Sequence, residues 1–140
     1  MEFTRTCPAC GAPNRVPARH LAHRGRCGSC RAALPPHQQP VDVDERAFDE
    51  VVGQVKEPVL VDFYADWCAP CRVAAPHVLE VARDLAGQVV VLKVNTDRNP
   101  GLARRYDVQG IPNFVVIHGG RTVVQKAGVV RADEMTAWLN

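Results

Sequence analysis

Long apolar runs are missing from this chain. Nothing in its 140 residues approaches the roughly 18 consecutive apolar positions of a membrane span. No apolar segment that could act as a signal peptide follows the opening Met1-Glu2-Phe3-Thr4-Arg5, and a cysteine stands already at position 7. A cytoplasmic location is the expectation, with no membrane contact, and there cysteines serve metal and redox chemistry rather than structural disulfides. The first 40 residues are also nearly without acid. They carry six Arg against one Glu, a formal +5, whereas residues 41–140 carry 11 basic and 14 acidic side chains, a formal −3. Large apolar side chains are scarce in the same stretch, with Phe3, Val16, Leu21 and Leu34 too few for an unaided core. Beyond Phe3 it has no aromatic platform for stacking bases. Arg5, Arg15, Arg19, Arg24, Arg26 and Arg31 therefore read as a solvated or protein-docking face, and nucleic acid is not an expected partner.

What the chain does have is six cysteines, four before residue 31 and two after it. Cys7-Pro8-Ala9-Cys10 and Cys27-Gly28-Ser29-Cys30 are separated by 16 residues. Each pair can form a tight knuckle, and four thiolates can close a tetrahedral shell around one structural zinc ion with no open position. Such an ion contributes about 10 kcal/mol or more, enough to fold a segment this poor in apolar residues. Two disulfides or a redox-active tetrad are the competing uses of these thiols. His20 and His23, between the knuckles, could stand in for a cysteine, but with four thiolates present they read as solvated loop residues. Pro35-Pro36-His37-Gln38-Gln39-Pro40 lacks an apolar period and reads as a semi-rigid linker. The expected division is a zinc module at 1–34, a linker at 35–40 and a second domain at 41–140.

The second domain is organised around Trp67-Cys68-Ala69-Pro70-Cys71. The apolar run 59–65 predicts a strand that delivers Cys68 to the first turn of a helix, with Cys71 one turn further in. Thiols so placed are close enough to bridge, and a helix start favours an anion. A pair of zinc ligands, or of core cysteines, is the bland alternative. Asp44 can cap a helix carrying Phe48, Val51, Val52 and Val55, ended by Pro58, and Val41-Asp42-Val43 reads as an edge strand. The cysteine helix runs to about Leu85 with Pro76 inside it, and residues 89–95 form a second buried strand. A short helix from Pro100, a hairpin of 114–117 with 122–124 about Gly119-Gly120, and a helix over 132–139 complete the order β-α-β-α-β-α-β-β-α. That order predicts an α/β fold with a mixed sheet and helices on both faces. Asp62 and Lys93 are the only charges in their strands, and opposite charges on adjacent strands can offset one another. Either Asp62 lies behind the cysteines with a raised proton affinity that Lys93 moderates, able to exchange a proton with Cys71, or one of the two points outward at a strand end. Trp67 is a packing residue or a lid, Trp138 is expected in the core, and His77 and His118 at the surface without partners.

Residues 41–140 resemble thioredoxin over their whole length. The marks are Val61-Asp62-Phe63-Tyr64-Ala65, Trp67-Cys68-Ala69-Pro70-Cys71, Pro76, Lys93-Val94-Asn95, Gly110-Ile111-Pro112 and Gly128. With its four-cysteine extension the chain is similar to the zinc-containing bacterial thioredoxin 2 type. The resemblance implies a thioredoxin fold preceded by a zinc-ribbon-like module, and a thiol-disulfide oxidoreductase that reduces protein disulfides and is re-reduced by a thioredoxin reductase. It implies Cys68 as nucleophile, Cys71 as resolving thiol, and a cis Ile111-Pro112 bond facing the disulfide. Trp67, Ala69, Pro70, Ile111, Pro112, Ala127 and Gly128 would line the substrate groove, and a monomer is expected. Ala69 departs from the usual glycine of the turn, Tyr64 stands where a tryptophan is common, and the last helix ends early at Asn140. A zinc-dependent, redox-switched binding protein for unfolded clients is the alternative reading.

Overall fold

Two cysteine knuckles, each closing a small antiparallel ladder, begin the chain in the computed structural model, which describes residues 2–140. Strand β1 (Glu2–Thr6) pairs with β2 (Pro13–Pro17), and β3 (Gly25–Arg26) with β4 (Ala33–Leu34). The knuckles repeat one hydrogen-bond pattern: Cys7 N–H donates to Ala12 O and Gly11 N–H to Cys7 O, as Cys27 N–H does to Ala32 O and Arg31 N–H to Cys27 O. In both, the residue after the second cysteine turns left-handed, Gly11 at φ 76° and Arg31 at φ 67°.

A five-stranded sheet in the order β5-β7-β6-β8-β9 forms the rest. Its strands are β5 (Val41–Asp42), β6 (Val59–Tyr64), β7 (Val90–Asn95), β8 (Asn113–His118) and β9 (Arg121–Ala127). Neighbours β5, β7 and β6 are parallel, while β8 is antiparallel to both β6 and β9, which is the expected mixed sheet. Strand β9 runs well past the predicted 122–124, because its ladder to β8 continues as far as Asn113 opposite Ala127. Alternation along the central strands builds two apolar layers. Val59, Val61, Phe63, Leu92 and Val115 face α1 (Glu45–Gln54) and α3 (Pro100–Arg105). Leu60, Val91, Phe114 and Val116 face α2 (Ala69–Asp84) and α4 (Ala132–Leu139). Asp44 caps α1 as its sequence position predicts, accepting from Ala47 N–H at 2.8 Å. Helix α2 continues through Pro76.

The amino-terminal module has a small cluster of its own, Cys7, Cys27 and Leu34, and buries other apolar residues against the sheet domain. Val16, Ala18, Leu21 and Ala22 are buried in the same cluster as Ala47, Phe48 and Val51 of α1. Arg5 is not on a solvated face: it is buried beneath the 3-10 turn Ala18–His20. Its guanidinium donates to His23 O (2.9 Å), Leu21 O (3.2 Å) and His20 O (3.4 Å), spreading the charge over three carbonyls. The stretch 35–40 is pinned as well, with His37 N–H donating to Leu21 O. Gly87 has φ 89°, and a Cβ there would come within 3.3 Å of Pro36 Cγ. His23 meets Glu57, two residues before β6 begins, at 3.3 Å. Gly87 and Glu57 both lie at the end of the sheet where the parallel strands start. Cys68 lies past the other end of β6, and the 16 residues of α2 span about 24 Å between those ends. The module is docked at the pole opposite the dithiol.

Candidate functional site

Strand β6 ends at Tyr64, and the chain turns so that Cys68 becomes the N-cap of α2 with Cys71 in its first turn. Cys68 and Cys71 are joined by a disulfide with Cα atoms 5.3 Å apart. Cys68 Sγ also accepts the Cys71 N–H at 3.2 Å, so an orphan amide of the helix start points at sulfur. Both cysteines are buried, in a small cluster with Tyr64 and Ala65, and Ile111 packs against it. Ile111 O lies 3.7 Å from Cys68 Sγ, and the Ile111–Pro112 bond is cis. Pro112 O accepts from Gly128 N–H at 2.8 Å, which brings Ala127 and Gly128 to the same edge. Ala69 and Pro70 are exposed at the head of the helix. Trp67 is 68 % exposed, and its indole N–H donates to Asp97 Oδ2 at 2.9 Å. The indole is thus tethered at the rim rather than packed. Sequence reasoning passed over two exposed apolar residues close to the site in the chain: Val73, 61 % exposed two residues past Cys71, and Val129 beside Gly128. Val73 was detectable, since it falls off the buried stripe Cys71, Ala74, Val78, Val81 of α2.

Beneath this turn Asp62 is 1 % exposed and its Oδ1 has no hydrogen-bond partner. Burial lifts its pKa to about 7, the nearby Lys93 ammonium holds it back, and Asp42 adds a smaller upward push. Lys93 is half-buried opposite Asp62 on β7, with its Nζ 4.3 Å from the centre of the Tyr64 ring. His77 does have a partner, contrary to the sequence expectation: its Nδ1 faces Ala132 N–H at 3.4 Å, at the start of α4. Trp138 covers the edge of the α2–α4 layer instead of entering it.

The other four sulfurs form a separate centre. Cys7, Cys10, Cys27 and Cys30 place their Sγ atoms within 4.8 Å of one another. Cys7 and Cys30 are 3.7 Å apart and Cys10 and Cys27 3.6 Å, while a Zn–S bond of about 2.3 Å calls for tetrahedral edges of about 3.8 Å. The donors therefore fit zinc. Amides favour the thiolate at two of the four: Cys7 is lowered chiefly by the Cys10 N–H, whereas at Cys10 the Ala12 N–H is outweighed by the neighbouring sulfurs of Cys30 and Cys27, which push it up to about 12. Cys27 is lowered to about 6, chiefly by the Cys30 N–H, then by the Asn14 side chain and Ser29 N–H. His20 and His23 stay outside the cluster, exposed, with their Nδ1 atoms 3.0 Å apart.

Two family models match the chain. A family model described as Thioredoxin matches residues 39–140, and one described as Thioredoxin 2, N-terminal, matches residues 6–32. Thioredoxin C-3 of Corynebacterium nephridii is 37% identical over 134 residues, 96% of this chain and 91% of that protein. A thioredoxin of Allochromatium vinosum is 41% identical over 100 residues, covering 71% of this chain and 94% of its own. Among solved structures, a mutant thioredoxin from Halobacterium salinarum NRC-1 superposes with a TM-score of 0.68 at 32% identity, over 74% of this chain and 89% of that one. No helix of the described residues is long and apolar enough to cross a membrane. A bonded Cys-x-x-Cys pair lies at a strand-to-helix turn of this sheet, behind a four-cysteine module, and both parts match their family models, so the chain belongs to the thioredoxin family of protein-disulfide reductases.

Proposed function

We propose that the Cys68-Ala69-Pro70-Cys71 couple reduces disulfides in extended segments of client proteins, that a thioredoxin reductase restores the dithiol, and that the four remaining cysteines hold one structural zinc ion. The disulfide carries this reading, since it is the oxidised half of the cycle. In the reduced half, the Cys68 thiolate attacks one sulfur of the client disulfide, and the other leaves as a thiolate that takes a proton from solvent. Cys71 then passes its proton to Asp62 and attacks Cys68 Sγ, and the client's second sulfur leaves and is protonated. Two electrons move to the client, and Cys68–Cys71 is oxidised. A carboxyl poised at about 7 suits both receiving and returning a proton near neutrality. Ile111 packs against the cysteine cluster, the exposed Trp67 precedes Cys68 in the chain, and Pro112, lacking an N–H, leaves its edge open to an extended chain.

Magnitudes decide which feature matters most. Lowering a thiol from about 8.5 to about 7, as is usual in thioredoxins, raises its thiolate fraction roughly 16-fold at neutral pH. Nucleophilicity falls with a slope near 0.45, which takes back a factor of about 5 and leaves about threefold. Tethered attack by Cys71, with effective molarities of about 10⁵ M or more, outweighs that gain.

At the other pole, Cys7, Cys10, Cys27 and Cys30 leave a bound zinc no open position, so the ion would supply cross-linking and no reaction step. The thiolates there and the dithiol both call for a reducing compartment, which supports the cytoplasm, and the protein is read as a monomer divided at 1–34, 35–40 and 41–140. Replacing Cys68 with Ser should reduce dithiol-driven insulin turnover to background while metal analysis still finds one zinc per chain. Undiminished turnover would remove Cys68 from the reaction. One observation favours the binding-protein reading as a second activity: Val16, Ala18 and Leu21 would be bared if the module opened. Suppression of client aggregation by peroxide-treated, zinc-depleted Cys68→Ser protein would support it.

A further inference from the structure

Three adjacent strands carry a charge at one level of the sheet. Asp42 on β5 and Asp62 on β6 are both register partners of Lys93 on β7, which lies between them. Register partners in parallel strands share a face, and Leu60 fixes that face as the one under α2. The row therefore runs from an exposed edge carboxylate to the buried acid. Among the described residues Lys93 makes no ion pair with either carboxylate. Its ammonium lies over the Tyr64 ring, and the Tyr64 hydroxyl donates to Asp42 Oδ2 at 2.6 Å. Tyr64 stands two residues beyond Asp62 on the same face and packs with Cys68 and Cys71. It is the residue that departs from the family's usual tryptophan, and its hydroxyl is what reaches the edge strand.

We propose that Tyr64 and Asp42 are positioning residues for Asp62: Tyr64 holds Asp42 by its hydroxyl and Lys93 by its ring, keeping the ammonium turned from Asp62 and that carboxyl free to exchange a proton with Cys71. This rests on Asp62 acting as the proton acceptor. The groups around Asp62 are Lys93 on β7, Asp42 beyond it on β5, Tyr64 along β6, the neutral Phe114 opposite on β8, and Cys71 with apolar Ala74 and Val78 from α2. Lys93 lowers the affinity of Asp62 for its proton, and Asp42 raises it. Removing the Asp42 charge takes away an upward push and leaves the field of Lys93 to Asp62 alone, so both effects act downward.

The test is the pH profile, from about pH 5 to 9, of the Cys71 step alone: release of an insulin chain from a Cys68 mixed disulfide formed on the full chain at acid pH and then jumped to the test pH, a step that follows the ionisation of Cys68. Asp62→Asn should abolish the limb that rises through neutrality. Asp42→Asn, a change at an exposed position, should move that limb toward acid by about half a pH unit. Tyr64→Leu, which removes both the hydroxyl that holds Asp42 and the ring that holds Lys93, should move it the same way, and the double variant no further than the larger single shift, because the two residues act as one unit. A limb abolished by Asp62→Asn but unmoved, or moved toward alkali, by Asp42→Asn overturns the clamp, as do additive shifts in the double variant. A limb that survives Asp62→Asn overturns the role of Asp62 instead.

Discussion

At position 62 a carboxyl is kept dry with one oxygen unpartnered, and its pKa is pushed from 3.8 to about 7. An acid with a raised folded value favours the protonated form, so its contribution is fully favourable below about 4 and is lost as pH rises through about 7. The full span corresponds to about 4 kcal/mol at most. Denaturant midpoints measured at pH 4 and pH 8 should differ by that sign in the parent and far less in Asp62→Asn; equal pH slopes in the two proteins would contradict the raised affinity. A second residue under constraint is Arg31, at φ 67° where the matching knuckle has Gly11. Arg31→Gly should stabilise the chain by about 0.5–1 kcal/mol, the left-handed penalty less the entropy of the added glycine, and a lower melting temperature would refute it. The six cysteines were legible because their chemistry lies in local spacing. The Tyr64–Asp42 bond, the burial of Arg5 and the partner of His77 were not, because each joins residues at least 15 positions apart.

At the scale of elements, α1, α2, β6 and β7 were legible, since each writes its buried stripe or apolar run directly into the sequence. Strand β9 was read too short: it is exposed on most of its length and so carries no apolar period, and pairing with β8 alone extends it. The 3-10 turn escaped as well. Leu21 just past it was counted among the few apolar residues of the module, whereas it and Ala18 are buried with Ala47, Phe48 and Val51 of α1. Leu21→Ala should therefore lower global stability by about 2–5 kcal/mol, measured by chemical denaturation, with insulin turnover in native buffer preserved. A two-step transition with an unshifted thioredoxin phase would show that the docking contributes nothing.

Considered as a whole molecule, the chain has two sulfur centres at opposite poles of one sheet, joined by a shared apolar layer. One is a bonded pair at a helix start with apolar surroundings, and the other a tetrathiolate whose spacing fits zinc. In the proposed function the first carries electron transfer and the second, by holding zinc, cohesion. Chelating the zinc should lower the melting temperature of the entire chain by about 5 °C or more while turnover at room temperature persists, and calorimetry with and without chelator reads this directly. The separation of the poles itself is most directly examined by trapping. A Cys71→Ser variant mixed with an oxidised insulin substrate cannot resolve its adduct, and peptide mass mapping without reductant then locates the mixed disulfide. The account predicts an adduct at Cys68 with Cys7, Cys10, Cys27 and Cys30 unmodified; an adduct distributed over those four, or none at Cys68, would contradict it.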